Sequence, residues 1–158
     1  GIADAYSLAA LYGNGPLSLS LAYENHTGDL VSDLTSGATS DNESAWKINA
    51  AYTIGDFKLA GTYEDQNGVM GIASKNYLLS AAYGMGPITL AAQYGKRNPN
   101  SAANSFGDND LTRYTLGAVY GMSKRTSAYV AYDHDKYSNS WLGGTKANIF
   151  TMGLNHDF

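Results

Sequence analysis

The chain closes on Ile149-Phe150-Thr151-Met152-Gly153-Leu154-Asn155-His156-Asp157-Phe158, written IFTMGLNHDF. Phe150, Met152, Leu154, His156 and Phe158 alternate with Ile149, Thr151, Gly153, Asn155 and Asp157. A strand has a side-chain period of two, so the first set shares one face and the second the other. Chain ends normally fray into water. A strand that keeps its alternation to a terminal aromatic asks for apolar surroundings outside the protein.

The same plan repeats along the chain. Ser7 to Tyr23, SLAALYGNGPLSLSLAY, and Leu78 to Tyr94, LLSAAYGMGPITLAAQY, both read as strand, Gly-x-Gly-Pro, strand. Ile48 to Tyr63 and Thr115 to Tyr132 share the plan with other turns. A Tyr precedes each tight turn, at Tyr12, Tyr52, Tyr83 and Tyr120, and Phe158 takes that place at the end. The period of roughly 30–40 residues is a hairpin repeat and not a solenoid. Long polar stretches separate the hairpins. The pattern predicts nine strands, over about 3–12, 17–25, 45–53, 57–64, 75–83, 88–96, 111–120, 126–135 and 147–158. At about nine to twelve residues they exceed the usual soluble strand and match a tilted strand crossing a bilayer.

Composition removes other classes. The 158 residues hold no Cys, so neither a disulfide scaffold nor a thiolate metal site exists. A net charge of −4 with no basic stripe argues against nucleic acid. No apolar run approaches the ~20 residues of a membrane helix, and no signal peptide is visible. Gly1 stands where Met would open a complete chain, so an upstream segment is expected to have been removed or to lie elsewhere.

Parity then sorts the faces. One face carries aliphatics and Ala, with Tyr or Trp at the strand ends: Tyr12, Tyr23, Tyr52, Tyr63, Tyr83, Tyr94, Tyr120 and Tyr132 form this girdle. Eleven of the 13 Tyr occupy such strand-end positions. Tyr and Trp prefer the two surfaces of a bilayer, whereas a soluble core places its largest side chains mid-strand. Within the central spans no Lys, Arg, Asp or Glu falls on this face. Each would cost about 2–4 kcal/mol at the bilayer midplane. The other face is polar, mostly Ala, Ser, Thr and Gly. Its charged residues are Lys47, Lys58 and Arg113, with Arg97 at a rim, opposed by Glu24, Glu64 and Asp133. The reading is an all-β, antiparallel transmembrane β-barrel wall, one domain over 1–158, with a wide water-facing interior.

At the terminal Phe the chain resembles the outer-membrane proteins of Gram-negative bacteria. GLNHDF, the upstream SKRTSAYVAY and the hairpin NGPLSLSLAY are similar to the general trimeric porins of proteobacteria, and the likeness spans essentially the whole chain. The resemblance implies a sixteen-stranded barrel whose last nine strands are these, with the N-terminal half missing or on another chain. It implies an outer-membrane location with a periplasmic C-terminus, a homotrimer, and contact with lipid and lipopolysaccharide. It also implies that the assembly machinery reads Phe150, Met152, Leu154, His156 and Phe158. The implied function is passive diffusion of ions and small hydrophilic solutes, without cofactor or chemistry. The loop that narrows the pore in that family belongs to the N-terminal half and is not found here.

The same residues bear on rival readings. Dropping the first strand would close an eight-stranded barrel, a structural protein or adhesin. Such a barrel fills its lumen with large side chains, and the polar face offers mainly small ones. An outer-membrane lipase needs Ser, His and Asn together, but His156 and Asn155 are adjacent and point apart. The same rule separates His134 from Asp133 and Asp135 as metal ligands. Asp29, Asp33, Asp41 and Glu43 lack the spacing of a calcium loop and read as solvated surface with scope for bridging cations to lipopolysaccharide. Asn25-His26-Thr27 and Asn42-Glu43-Ser44 match the glycosylation pattern, which means little in a bacterial protein.

Overall fold

A computed structural model describes residues 5–26, 43–68, 73–100, 110–138 and 144–158. Nine strands follow in chain order: β1 (Ala5–Asn14), β2 (Leu17–His26), β3 (Glu43–Ile54), β4 (Phe57–Asn67), β5 (Ala73–Met85), β6 (Ile88–Pro99), β7 (Asp110–Gly121), β8 (Thr126–Ser138) and β9 (Thr145–His156). They form one sheet in the order β1-β2-β3-β4-β5-β6-β7-β8-β9, each pairing only with its sequence neighbours, always antiparallel, as in Leu8↔Tyr23 and Val130↔Met152. Among the described residues no ladder joins β9 back to β1. Asp29, Asp33 and Asp41 of the acidic stretch, and Thr27 and Asn42 of the glycosylation patterns, lie outside the described residues.

Three two-residue turns set the register. Gly15, Gly55 and Gly86 open them with φ of 55, 57 and 57°. That conformation suits Gly, and Pro16 or Pro87 in the next position supplies a fixed negative φ, the chemistry of a Gly-first hairpin turn. The turns are also stitched sideways. The carbonyls of Pro16, Asp56 and Pro87 accept from the N–H groups of Thr53, Gly84 and Gly121, at 3.0, 2.9 and 2.7 Å. Each hairpin tip is thereby tied to a strand of the following hairpin.

All nine expected strands are present, with two departures. Most run further at the end away from the tight turns: β5 starts at Ala73, β6 reaches Pro99 and β8 reaches Ser138. Beyond the apolar band both faces are polar, so alternation carries no signal there although the backbone pairing continues. At the other end β9 stops at His156, short of the expected Phe158. Asp157 N–H instead donates to the Arg125 carbonyl at 2.9 Å, and Arg125 Nε donates to the Asp157 carbonyl at 2.7 Å. The last residues are clamped onto the β7–β8 turn, and the Phe158 side chain stands fully exposed.

The sheet has no buried apolar core of its own. Leu8, Leu21, Leu79, Leu116, Phe150, Met152 and Leu154 are all exposed, which in water would be an aggregation surface. What packs on that face is rings. Tyr6 meets Tyr23 at 5.9 Å between centroids, Trp46 meets Tyr63 at 4.9 Å, Tyr63 meets Tyr77 at 5.0 Å and Tyr94 meets Tyr114 at 5.3 Å. These contacts run along the end away from the tight turns. At the tight-turn end Phe57 stacks on Tyr83 at 4.3 Å. Such cross-strand ring pairs contribute about 0.5–1.5 kcal/mol each.

Candidate functional site

The polar face is the candidate site, and its register explains who meets whom. The hairpin β3–β4 places Lys47 opposite Glu64, and their charged groups form an ion pair. Glu64 also accepts from Asn76 Nδ2 at 2.9 Å and from Gln66 Nε2. Ser74 Oγ donates to Gln66 Oε1 at 3.3 Å. One carboxylate thus gathers donors from three strands.

A second cluster lies across β7 and β8. Arg113 faces Asp135 in register, and its Nε and Nη2 each donate to one carboxylate oxygen at 2.6 Å. The bidentate fork is the geometry that guanidinium and carboxylate share. Tyr137 Oη adds a third donor to Asp135 at 3.3 Å. Asp135 is the most enclosed side chain among the described residues, 1% exposed. Asp133, expected to oppose the cations, takes the Thr115 hydroxyl instead. Counting back from the β7–β8 turn identifies the pair: positions 113 and 135 are equidistant from it. Asp135 is therefore the functional-face residue that the sequence reading passed over.

Toward mid-strand the face is neutral and hydrogen-bonded. Thr62 Oγ1 donates to Asn49 Oδ1 at 2.7 Å, and Asn49 Nδ2 donates to Ser20 Oγ at 2.8 Å, a chain across β4, β3 and β2. Glu24 has its oxygen 2.6 Å from His26 Nε2, not from a lysine. Among the described residues Lys58 stands alone toward the tight-turn end, in register with Thr53 and Ala82. Arg97, at the opposite end, is in register with Asn76 and lines a cleft with Glu24, His26, Glu43 and Gln66.

The polar face is mostly Ala, Ser, Thr and Gly by register, with large exceptions. By register Leu11, Leu78, Val119 and Tyr129 also fall there. Tyr129 is the informative one. A Cβ added to Gly153, its partner across β8–β9, would lie 2.6 Å from the Tyr129 hydroxyl. The hydroxyl end of the ring lies against the glycine, where a Cβ would leave it no room. Tyr129 is thus folded against the wall, whereas Leu11, Leu78 and Val119 stand exposed.

On the apolar face Tyr12, Tyr52, Tyr83 and Tyr120 lie beside the tight turns, and Tyr23, Tyr63, Tyr94 and Tyr132 toward the other end. Phe150, Met152, Leu154 and His156 line the same face of β9. His156 Nδ1 lies 2.9 Å from Thr126 Oγ1, and its ring meets Phe158 edge-on at 5.1 Å. His134 is on this face as well, 2.7 Å from Asn148 Oδ1, with Asp133 and Asp135 on the other.

Comparison with known proteins places this geometry. The major outer membrane protein P.IB of Neisseria lactamica is 32% identical over 109 residues, covering 65% of this chain and 29% of that protein. In-vitro folded OmpT, an outer membrane protein of Vibrio cholerae, superposes with a TM-score of 0.66 at 20% identity, over 95% of this chain and 54% of that one. Its variant lacking loop L8 superposes with the same score at 21% identity, covering 95% and 52%. The chain thus spans about half the length of the solved structures and under a third of P.IB. The fold is that of an outer-membrane β-barrel. A family profile described as Gram-negative porin matches residues 1–140, and with one face apolar, the other polar and aromatic rows at both ends, this chain belongs to that family.

Proposed function

We propose that the sheet is part of the wall of a water-filled channel, through which ions and small hydrophilic solutes diffuse passively across the outer membrane. The observation that carries the reading is the separation of faces. Lys47, Lys58, Glu64, Arg113, Asp133 and Asp135 all share the polar face by register, while the facing apolar band is exposed and uncharged between its aromatic rows. Lipid satisfies the second face and water the first. Glu24, Lys47, Lys58, Glu64, Arg97, Arg113 and Asp133 line the pore in this reading and shape its field, with Asp135 added to them. Two of the charges are neutralised in place, Lys47 by Glu64 and Arg113 by Asp135. The work is electrostatic and steric, and no bond is made or broken.

The C-terminus then lies on the periplasmic side, beside the tight turns, where Phe158 and the apolar residues of β9 are free for the assembly machinery. The unpaired ladder edges of β1 and β9 suit completion of the barrel by further strands, and the family suggests a homotrimer. Among the described residues the odd strand count and those open edges do not favour a closed eight-stranded adhesin or structural barrel. Planar-bilayer recording of the assembled protein tests the channel. Discrete conductance steps are expected; a folded, inserted protein that leaves the bilayer insulating would remove the proposal.

A further inference from the structure

A cleft of about 250 Å³ opens on the polar face at the end away from the tight turns. Register lays the row Glu24, Ala45, Gln66 and Ser74 across it, from β2 to β5. The middle of that row is settled within the wall. Ser74, 6% exposed, donates to Gln66, and Gln66 donates in turn to Glu64, the partner of Lys47. The charged groups that line the cleft stand at its two sides.

On one side are Glu24 of β2 and Glu43 of β3. They are diagonal neighbours on the same face, a separation of about 7–8 Å that long side chains can span. His26 is opposite Glu43, but its Nε2 is turned to Glu24, 2.6 Å from one of that residue's two oxygens. The Glu24 side chain is still 57% exposed. On the other side is Arg97 of β6, in register with Asn76 and Leu111. Its guanidinium carries five N–H donors in a flat fork that fits a carboxylate. Elsewhere on this face the hairpins bring opposite charges together, Lys47 to Glu64 and Arg113 to Asp135. In the cleft, acid and base stand on β3 and β6, with β4 and β5 between them.

We propose that this cleft binds a short peptide with free termini, its ammonium between Glu24 and Glu43 and its carboxylate on Arg97. Separated charge on the wall selects separated charge in the solute. The β3 and β6 backbones lie about 14 Å apart across the sheet, and the glutamate and arginine side chains close part of that span. A free amino acid carries both charges on one carbon and reaches one side only. Each residue of a peptide adds about 3.5 Å, so two or three residues bridge what the side chains leave. The site rests on the reading of this face as a channel wall, and it deepens that reading by naming a solute class held at the mouth before passage.

The test is calorimetric titration of the assembled protein in neutral detergent. The probes are dialanine, N-acetyl-dialanine, dialanine amide and alanine. The parent is expected to bind dialanine about tenfold more tightly than each of the other three, since each lacks one charged contact or the reach to make it. Arg97→Gln should weaken dialanine about tenfold and erase the preference over dialanine amide, while the preference over N-acetyl-dialanine remains. The double variant Glu24→Gln, Glu43→Gln should do the reverse, erasing only the preference over N-acetyl-dialanine. Each variant thus keeps one preference, which a misfolded protein would not. Equal binding of all four probes by the parent would overturn the site, as would dialanine affinity unchanged in both variants. Alanine binding as tightly as dialanine would overturn the two-sided contact. Conductance recorded on the same preparations keeps the two claims apart: the variants should still open channels, and a silent bilayer would strike at the channel while leaving the titrations to stand.

Discussion

Asp135 shows how a single residue can be placed by register and overlooked by pattern. Alternation marks it as polar-face, but only its distance from the β7–β8 turn says that Arg113 is its partner. A carboxylate 1% exposed that loses a bidentate guanidinium keeps its desolvation cost without compensation. Arg113→Ala is expected to lower stability by about 2 kcal/mol in detergent unfolding, and Arg113→Lys to recover only part of it, since an ammonium cannot reproduce the fork. A fully stable Arg113→Ala protein would show that the pair is incidental. Gly153 offers a second test at this scale. Gly153→Ala must displace the Tyr129 ring and is expected to cost about 1 kcal/mol. Combined with Tyr129→Ala the cost should be less than additive; strict additivity would mean that ring and glycine do not interact.

At the scale of the element, the strands were legible because membrane and water pull the two faces apart. Ser18 and Ser20 alternating with Leu17, Leu19 and Leu21, or Gln93 set between Ala92 and Tyr94, carry a contrast that a chain read in isolation still shows. Where that contrast ends, so did the reading. Residues 136–138 pair in β8 although polar residues occupy both faces there. The pairing partners within the polar face were unreadable for another reason: charge types predict attraction, but hairpin geometry decides which charges meet. Two of the turns carry a Gly-Pro signature in the sequence, and the chemistry of such turns yields a prediction. Gly86→Ala forces a Cβ into φ of 57° and is expected to cost about 1–2 kcal/mol. Gly13→Ala, where an added Cβ meets nothing within 4 Å, should be close to neutral. Equal effects at the two sites, measured by urea unfolding of the refolded protein, would remove the turn argument.

At the scale of the whole molecule, the central claim is that two opposite solvents surround one sheet. The charge pattern of the polar face makes part of this measurable. Lys58 has no ion-pair partner among the described residues, so Lys58→Glu is expected to move the reversal potential under a salt gradient toward cation preference. The double variant Arg113→Gln, Asp135→Asn removes a balanced pair and should move it far less. The most direct measurement uses the absence of cysteine from this chain. Single cysteines at Gln93 on the polar face and at the adjacent Ala92 on the apolar face are exposed in turn to a charged, water-borne thiol reagent during planar-bilayer recording. The account predicts that Gln93→Cys channels lose conductance stepwise on reaction, while Ala92→Cys channels do not respond. Block at both positions, or at Ala92→Cys alone, would contradict it.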